Sequence, residues 1–152
     1  MTSSDRTFAV THINVIPMDQ NTVLRNHSLL ITGDRIVKIG PSSDMNLPED
    51  INTIDGTNKF IMPGLSDMHT HIAPSIFADN LAAGIKDLEL YLCTGVTTIR
   101  IMSGNEGHLQ LKELQEKSEV QGPNMYLGSP IIEGENNVWD FALKITLSLI
   151  HI

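Results

Sequence analysis

The chain has 152 residues, 41 % hydrophobic and 18 % charged, a composition that folds and does not stay disordered. Ten basic against eighteen acidic residues leave a net charge of −8, with no cluster of Lys or Arg, which disfavours a nucleic-acid groove. No apolar run approaches the ~20 residues of a membrane helix, so no membrane partner is expected either. In chain order, Phe8–Ile16 is rich in β-formers and is interrupted by the turn formers Pro17–Asn21. His27–Thr32 and Arg35–Ile39 flank Gly33-Asp34, the pattern of a two-residue hairpin. Gly40–Asp50 is a polar loop. Asn52–Asp55 and Lys59–Met62 are short strands around Gly56-Thr57-Asn58. Strands this short and closely spaced read as part of a β-sandwich.

After Pro63-Gly64 the pattern changes. Leu65–Ile72 reads as a strand and Phe77–Cys93 as a helix, with Leu81, Ile85, Leu88 and Leu92 on one apolar face and Gly95 just past its end. Val96–Met102 is a β-branched strand, His108–Val120 a more charged helix stopped by Gly122-Pro123, and Met125–Ile132 a third strand. Strand and helix in alternation predict an α/β chain with a parallel sheet.

The chemistry sits in Pro63-Gly64-Leu65-Ser66-Asp67-Met68-His69-Thr70-His71. Side chains alternate along a strand, so Asp67, His69 and His71 are expected on one face, with Met68, Thr70 and Ile72 on the other, against helices. Two imidazoles at such positions can converge on one divalent metal. Asp67 is expected to orient them from behind as a carboxylate of the outer shell. A bare His-x-His is weak evidence taken alone.

Its context carries more. A β-rich start, then Phe60–His71 (FIMPGLSDMHTH), Gly95–Met102 (GVTTIRIM) and Gln121–Gly134 (QGPNMYLGSPIIEG), together with Gly33–Gly40 (GDRIVKIG), resembles the metal-dependent amidohydrolase superfamily, with imidazolonepropionase-like and prolidase-like members nearest. The resemblance implies the N-terminal part of a composite β-sandwich over residues 1–61. The first three βα units of an incomplete TIM (β/α)8 barrel follow over residues 62–146, far short of the ~250 residues of a whole barrel. It implies His69 and His71 as metal ligands at the barrel mouth, for one or two divalent ions, zinc by preference. It further implies hydrolysis of a C–N bond in a small amide, cyclic amide or dipeptide substrate, with the general base and remaining ligands beyond the chain end and this chain by itself inactive. A homo-oligomeric parent fits the same resemblance. Two alternatives stay open: a non-catalytic scaffold on the same barrel, and a deaminase or decarboxylase on the same metal site.

Arg100 and His108 are candidates for lining the substrate mouth, with a surface position the blander reading for His108. Family members often carry an acidic residue where this chain has Ile101. Gly104–Gly107 lacks the Lys-Ser/Thr of a phosphate loop. Cys93 reads as a small buried hydrophobe. One cysteine cannot form an internal disulfide, and the opening nineteen residues lack a leader's basic and apolar regions, so a cytoplasmic location is expected. Glu133 and Glu135 read as a solvated loop, and Lys144 follows Glu133 too closely for a crossover helix and is rejected as a bridging lysine. Leu147–Ile152 (LSLIHI) looks like one reading frame of the transposase mosaic-end adaptor used in sequencing libraries, so residues 147–152 are read as a non-native tail, His151 included.

Overall fold

A computed structural model describes residues 6–74, 80–135, 139 and 142–145. The start of the predicted first helix at Phe77 and the tail 147–152 lie outside the described residues. Two compact units divide the chain, Met1–Pro63 and Gly64–Ile152.

The first unit is one mixed sheet. Strands β1 (Thr7–Val15), β2 (Leu24–Thr32), β3 (Arg35–Pro41) and β4 (Asn52–Asp55) lie in the order β3-β2-β1-β4, and β5 (Phe60–Ile61) also pairs with β1. The β2–β3 ladder is antiparallel and closes Thr32 on Arg35. Its turn puts Gly33, and not Asp34, at positive φ (60°), the type II′ form that matches strand twist. β4 and then β5 pair with β1 in parallel, at Phe8–Thr11 and then Asn14–Val15, so the chain follows β1 through the turn at Gly56–Lys59. This turn is tight: a Cβ on Gly56 would sit 2.6 Å from that of Ile13. Asp55 caps this turn, accepting from the backbone N–H and hydroxyl of Thr57 at 3.0 and 2.7 Å, which holds its carboxyl below the usual range. Val10, Ile13, Val15 and Leu29 form the core, with Phe8, Leu24, Ile31 and Ile61 against it.

The second unit is a parallel sheet under two helices: β6 (Leu65–Thr70), α1 (Leu81–Cys93), β7 (Val96–Ile101), α2 (Glu106–Glu116) and β8 (Asn124–Leu127), with strand order β6-β7-β8. Asn80 caps α1 through Ala82 N–H (2.9 Å), and at its other end Gly95 takes φ 82°. Leu81, Ile85 and Leu88 pack as the periodicity predicts, but Tyr91 and not Leu92 completes the face. The buried core is Ile72, Leu88, Ile99, Ile101, Leu111 and Met125.

Three expectations need correction here. The third strand ends at Leu127 instead of Ile132: after a last ladder bond from Gly128 N–H to the Ile101 carbonyl (2.7 Å), the Ser129 carbonyl is taken by Gly104 N–H (3.2 Å), and Pro130 has no donor to continue a ladder. Ile132–Glu133 (β9) instead pairs with Leu143–Lys144 (β10), so the described residues hold two complete βα units and a third strand. α2 begins at Glu106, two residues before the expected His108, because Asn105 is its cap, accepting from His108 N–H at 3.1 Å. Cys93 is exposed, since it falls on the outer side of the last turn of α1. Among the described residues no helix is long and apolar enough to cross a membrane.

Candidate metal centre

His69 lies near the end of β6 and His71 just beyond it, their ring centroids 5.3 Å apart and tilted by 60°. Both side chains are exposed. The geometry depends on an irregularity. Asp67 pairs with Ile99 and Thr70 with Ile101, so three steps along β6 oppose two along β7. That extra residue is a bulge at Met68 and His69. It is held by the Asp67 carboxylate, which accepts the His69 backbone N–H at 3.1 Å.

The bulge changes which residues share a face. Directly paired positions of neighbouring strands point the same way, so Asp67 and Thr70 lie on the side of Ile99 and Ile101, which are fully buried beneath the helices. Strict alternation put Asp67 with the two histidines and Met68 against the helices; the bulge reverses both. Asp67 is half-buried and faces Tyr91 of α1, while Met68 is 52 % exposed. His71 alternates with the buried Thr70 and Ile72 and so emerges on the open face, as does Arg100 between the buried Ile99 and Ile101. Arg100 joins this face on β7, and its carbonyl accepts from the Thr70 hydroxyl at 3.0 Å.

His108 is not on that face. It is buried (1 % exposed), so neither the mouth position nor the surface position holds. Its Nε2–H donates to the Ile72 carbonyl at 3.0 Å, and its Nδ1 has no partner among the described residues. The cap at Asn105 sets where α2 begins, which puts His108 on its inner side, where the Ile72 carbonyl takes its donor. Glu133 accepts from Trp139 N–H at 3.1 Å, Glu135 is exposed, and Lys144 is an exposed residue of β10. Among the described residues no group of three or more His, Cys, Asp or Glu is placed to hold a metal.

Tyr91 responds to this arrangement. Desolvation first, then the charges of Asp67 and Asp87, push its hydroxyl above the ordinary 10.0. A raised folded-state pKa means the neutral phenol contributes stability in full below the unfolded value, and that contribution is lost as pH rises through the folded value. We expect Tyr91→Phe to flatten the alkaline fall in stability above about pH 10. Ultraviolet phenolate titration of a Tyr126→Phe background checks it, and a midpoint at or below 10.0 contradicts it.

Whether the pair fits a metal is a matter of distance. Tetrahedral donors at about 2.0–2.1 Å place two imidazole centroids roughly 5 Å apart. The observed 5.3 Å agrees with that spacing, and the tilt keeps the rings from stacking, so the ring separation suits two imidazole corners of such a site.

No protein-family model matches the chain. It is 34 % identical over 74 residues to 5-methylthioadenosine/S-adenosylhomocysteine deaminase of Carboxydothermus hydrogenoformans, covering 49 % of this chain and 17 % of that protein. It is 30 % identical over 103 residues to imidazolonepropionase of Alkaliphilus oremlandii, covering 65 % of this chain and 22 % of that one. The crystal structure of a putative prolidase from Bifidobacterium longum superposes with a TM-score of 0.78 at 27 % identity, over 94 % of this chain and 34 % of that one. Together these likenesses support the amidohydrolase superfamily as the family of this chain. It spans about a fifth of the length of these two curated amidohydrolase relatives.

Asp87 and Asn105, which grip the backbone behind His71, escaped sequence reasoning. Asn105 had a readable signal as a cap residue directly before a helix. Asp87 had none, since a polar residue on a helix does not announce a partner fourteen positions away.

Proposed function

We propose that this chain is the N-terminal part of a metal-dependent amidohydrolase that cleaves a C–N bond. In this reading the mixed sheet of the first unit belongs to a composite β-sandwich, and the parallel strands open a TIM barrel whose later strands lie beyond the chain. The observation that carries the reading is the His69–His71 pair, at a separation suited to one ion, on the open face of the first parallel strand. His69 and His71 hold the ion, and Asp67 acts through the backbone by fixing the bulge that turns His69 toward it. The ion these residues would hold is divalent, zinc by its preference for imidazole donors, and when bound it would supply Lewis-acid polarisation of the scissile carbonyl and a water activated near neutral pH. Arg100, on the same face, is placed to meet an anionic or carbonyl group of substrate. The general base and the remaining ligands belong to later strands, so the chain by itself is inactive. Substrates are small amides, cyclic amides or dipeptides.

Hydrolytic deamination is the second reading, because relatives of this chain are named methylthioadenosine, adenine and 5'-deoxyadenosine deaminases. One fold supports both chemistries, so the later loops decide between them. The test begins with genomic DNA downstream of the codon for Thr146. We expect an open reading frame that continues past it and replaces Leu147–Ile152. The longer polypeptide, loaded with zinc, is then assayed on dipeptides, N-acyl amino acids, cyclic amides and methylthioadenosine, beside the 152-residue chain. Activity in the long form alone supports the proposal. A stop codon directly after Ile152 in independent DNA, or turnover by the short chain, overturns the fragment reading.

A further inference from the structure

We infer that Asp87, Asn105 and His108 are positioning residues that lock the backbone behind His71 and so set the separation of the two imidazoles. The inference rests on the metal reading of His69 and His71. Three side chains from three different places converge on three consecutive residues. From α2, His108 Nε2–H donates to the Ile72 carbonyl at 3.0 Å. From α1, the Asp87 carboxylate accepts Ala73 N–H at 2.9 Å. From the turn before α2, Asn105 Nδ2 donates to the Pro74 carbonyl at 2.8 Å.

The first two bonds have a particular consequence. The Ile72 carbonyl and the Ala73 N–H belong to one rigid peptide plane. That plane is gripped at both edges, from two helices, and cannot rotate without breaking a bond. On the other side of His71, the Thr70 carbonyl accepts from Met102 N–H at 3.1 Å and its hydroxyl donates to the Arg100 carbonyl at 3.0 Å. His71 is therefore a short link between two anchored points, and its ring has little freedom except about its own side-chain bonds.

Close packing supports the same purpose. A Cβ on Gly84 would meet the Ala73 oxygen at 2.2 Å, and one on Gly107 would meet the Pro74 ring at 2.1 Å, so both helices come nearer to this segment than any side chain permits. His108 also carries a cost. Its Nδ1 is buried without a partner among the described residues, whereas an apolar side chain would strand no such atom. What the imidazole supplies, and an apolar side chain cannot, is the donor to Ile72.

The test is the Zn2+ affinity of the longer polypeptide that continues past Thr146, measured by competition with a chromophoric zinc indicator, with a thermal melt of each variant. His108→Leu and Asp87→Ala should each weaken Zn2+ binding about tenfold, the lower end of what outer-shell partners of metal ligands contribute. Asp87→Ala sits at a half-buried helical position that favours alanine, so it preserves the fold even if His108→Leu does not. His108→Gln, whose amide nitrogen reaches the same carbonyl, should bind near the wild-type level. Unchanged affinity in Asp87→Ala and His108→Leu, with His69→Ala still losing the metal, overturns the positioning role and leaves the metal reading intact. Equal affinity in His69→Ala and wild type overturns both. A His108→Gln variant as weak as His108→Leu removes the hydrogen bond as the cause.

Discussion

Replacing His69 or His71 with alanine should abolish metal-dependent turnover in the longer polypeptide. The expected loss exceeds the roughly 10–100-fold that removal of an outer-shell partner costs, because here a metal-donor atom itself disappears. Among the described residues no third His, Cys, Asp or Glu lies close enough to complete a cluster with the pair. The fold should survive either change, since both rings are exposed and neither belongs to the core. Surface substitutions of this kind usually alter stability by less than about 0.5 kcal/mol. Activity and metal content measured beside a thermal melt therefore separate the two effects. A double alanine variant with full activity would remove the metal assignment.

The second large effect concerns Gly84. α1 lies so close to the segment after β6 that an alanine Cβ would fall 2.2 Å from the Ala73 oxygen and 2.7 Å from Leu111 Cδ1. The backbone oxygen cannot swing aside, because the neighbouring peptide is held by Asp87 and His108. The helix must move instead and open the core around Leu88 and Leu111, which are fully buried. Overpacking of this kind costs about 1–3 kcal/mol, and the backbone contact places Gly84→Ala at the upper end of that range. For a unit of this size about 3 kcal/mol lowers Tm by roughly 12–24 °C. Gly95→Ala makes a useful contrast. It meets no atom within 4 Å but sits at φ 82°, so its penalty is conformational strain alone. Gly134→Ala, with neither constraint, should melt as wild type does. Equal melts for Gly84→Ala and Gly134→Ala would contradict the packing account.

Both expectations bear on one short stretch, and the two glycines near it had a different reading in the sequence. Gly104–Gly107 looked like a loop that fails as a phosphate cradle. Its glycines answer to packing: Gly104 lies against the Gly128 carbonyl and Gly107 against Pro74. Their absent side chains make room for backbone and ring atoms, and Asn105 between them both caps α2 and grips Pro74.

Local pattern was enough for what depends on neighbours in the chain. Alternation and helical periodicity placed every strand and both helices of the described residues to within a few positions, apart from the early end of the third strand and the β9–β10 pair. Gly33-Asp34 announced its hairpin because a tight turn needs one residue at positive φ. His69 and His71 stood out because two histidines one residue apart on a strand can turn to the same side and meet one ion. Tertiary structure decided the rest. A strand's face is set by the register of its partner, and one extra residue against β7 moved Asp67 to the helix side and Met68 to the open side. His108 went inward because the Ile72 carbonyl, thirty-six positions away, needed a donor at the edge of the core. Such choices depend on contacts between distant segments, and periodicity along a single segment contains no information about them.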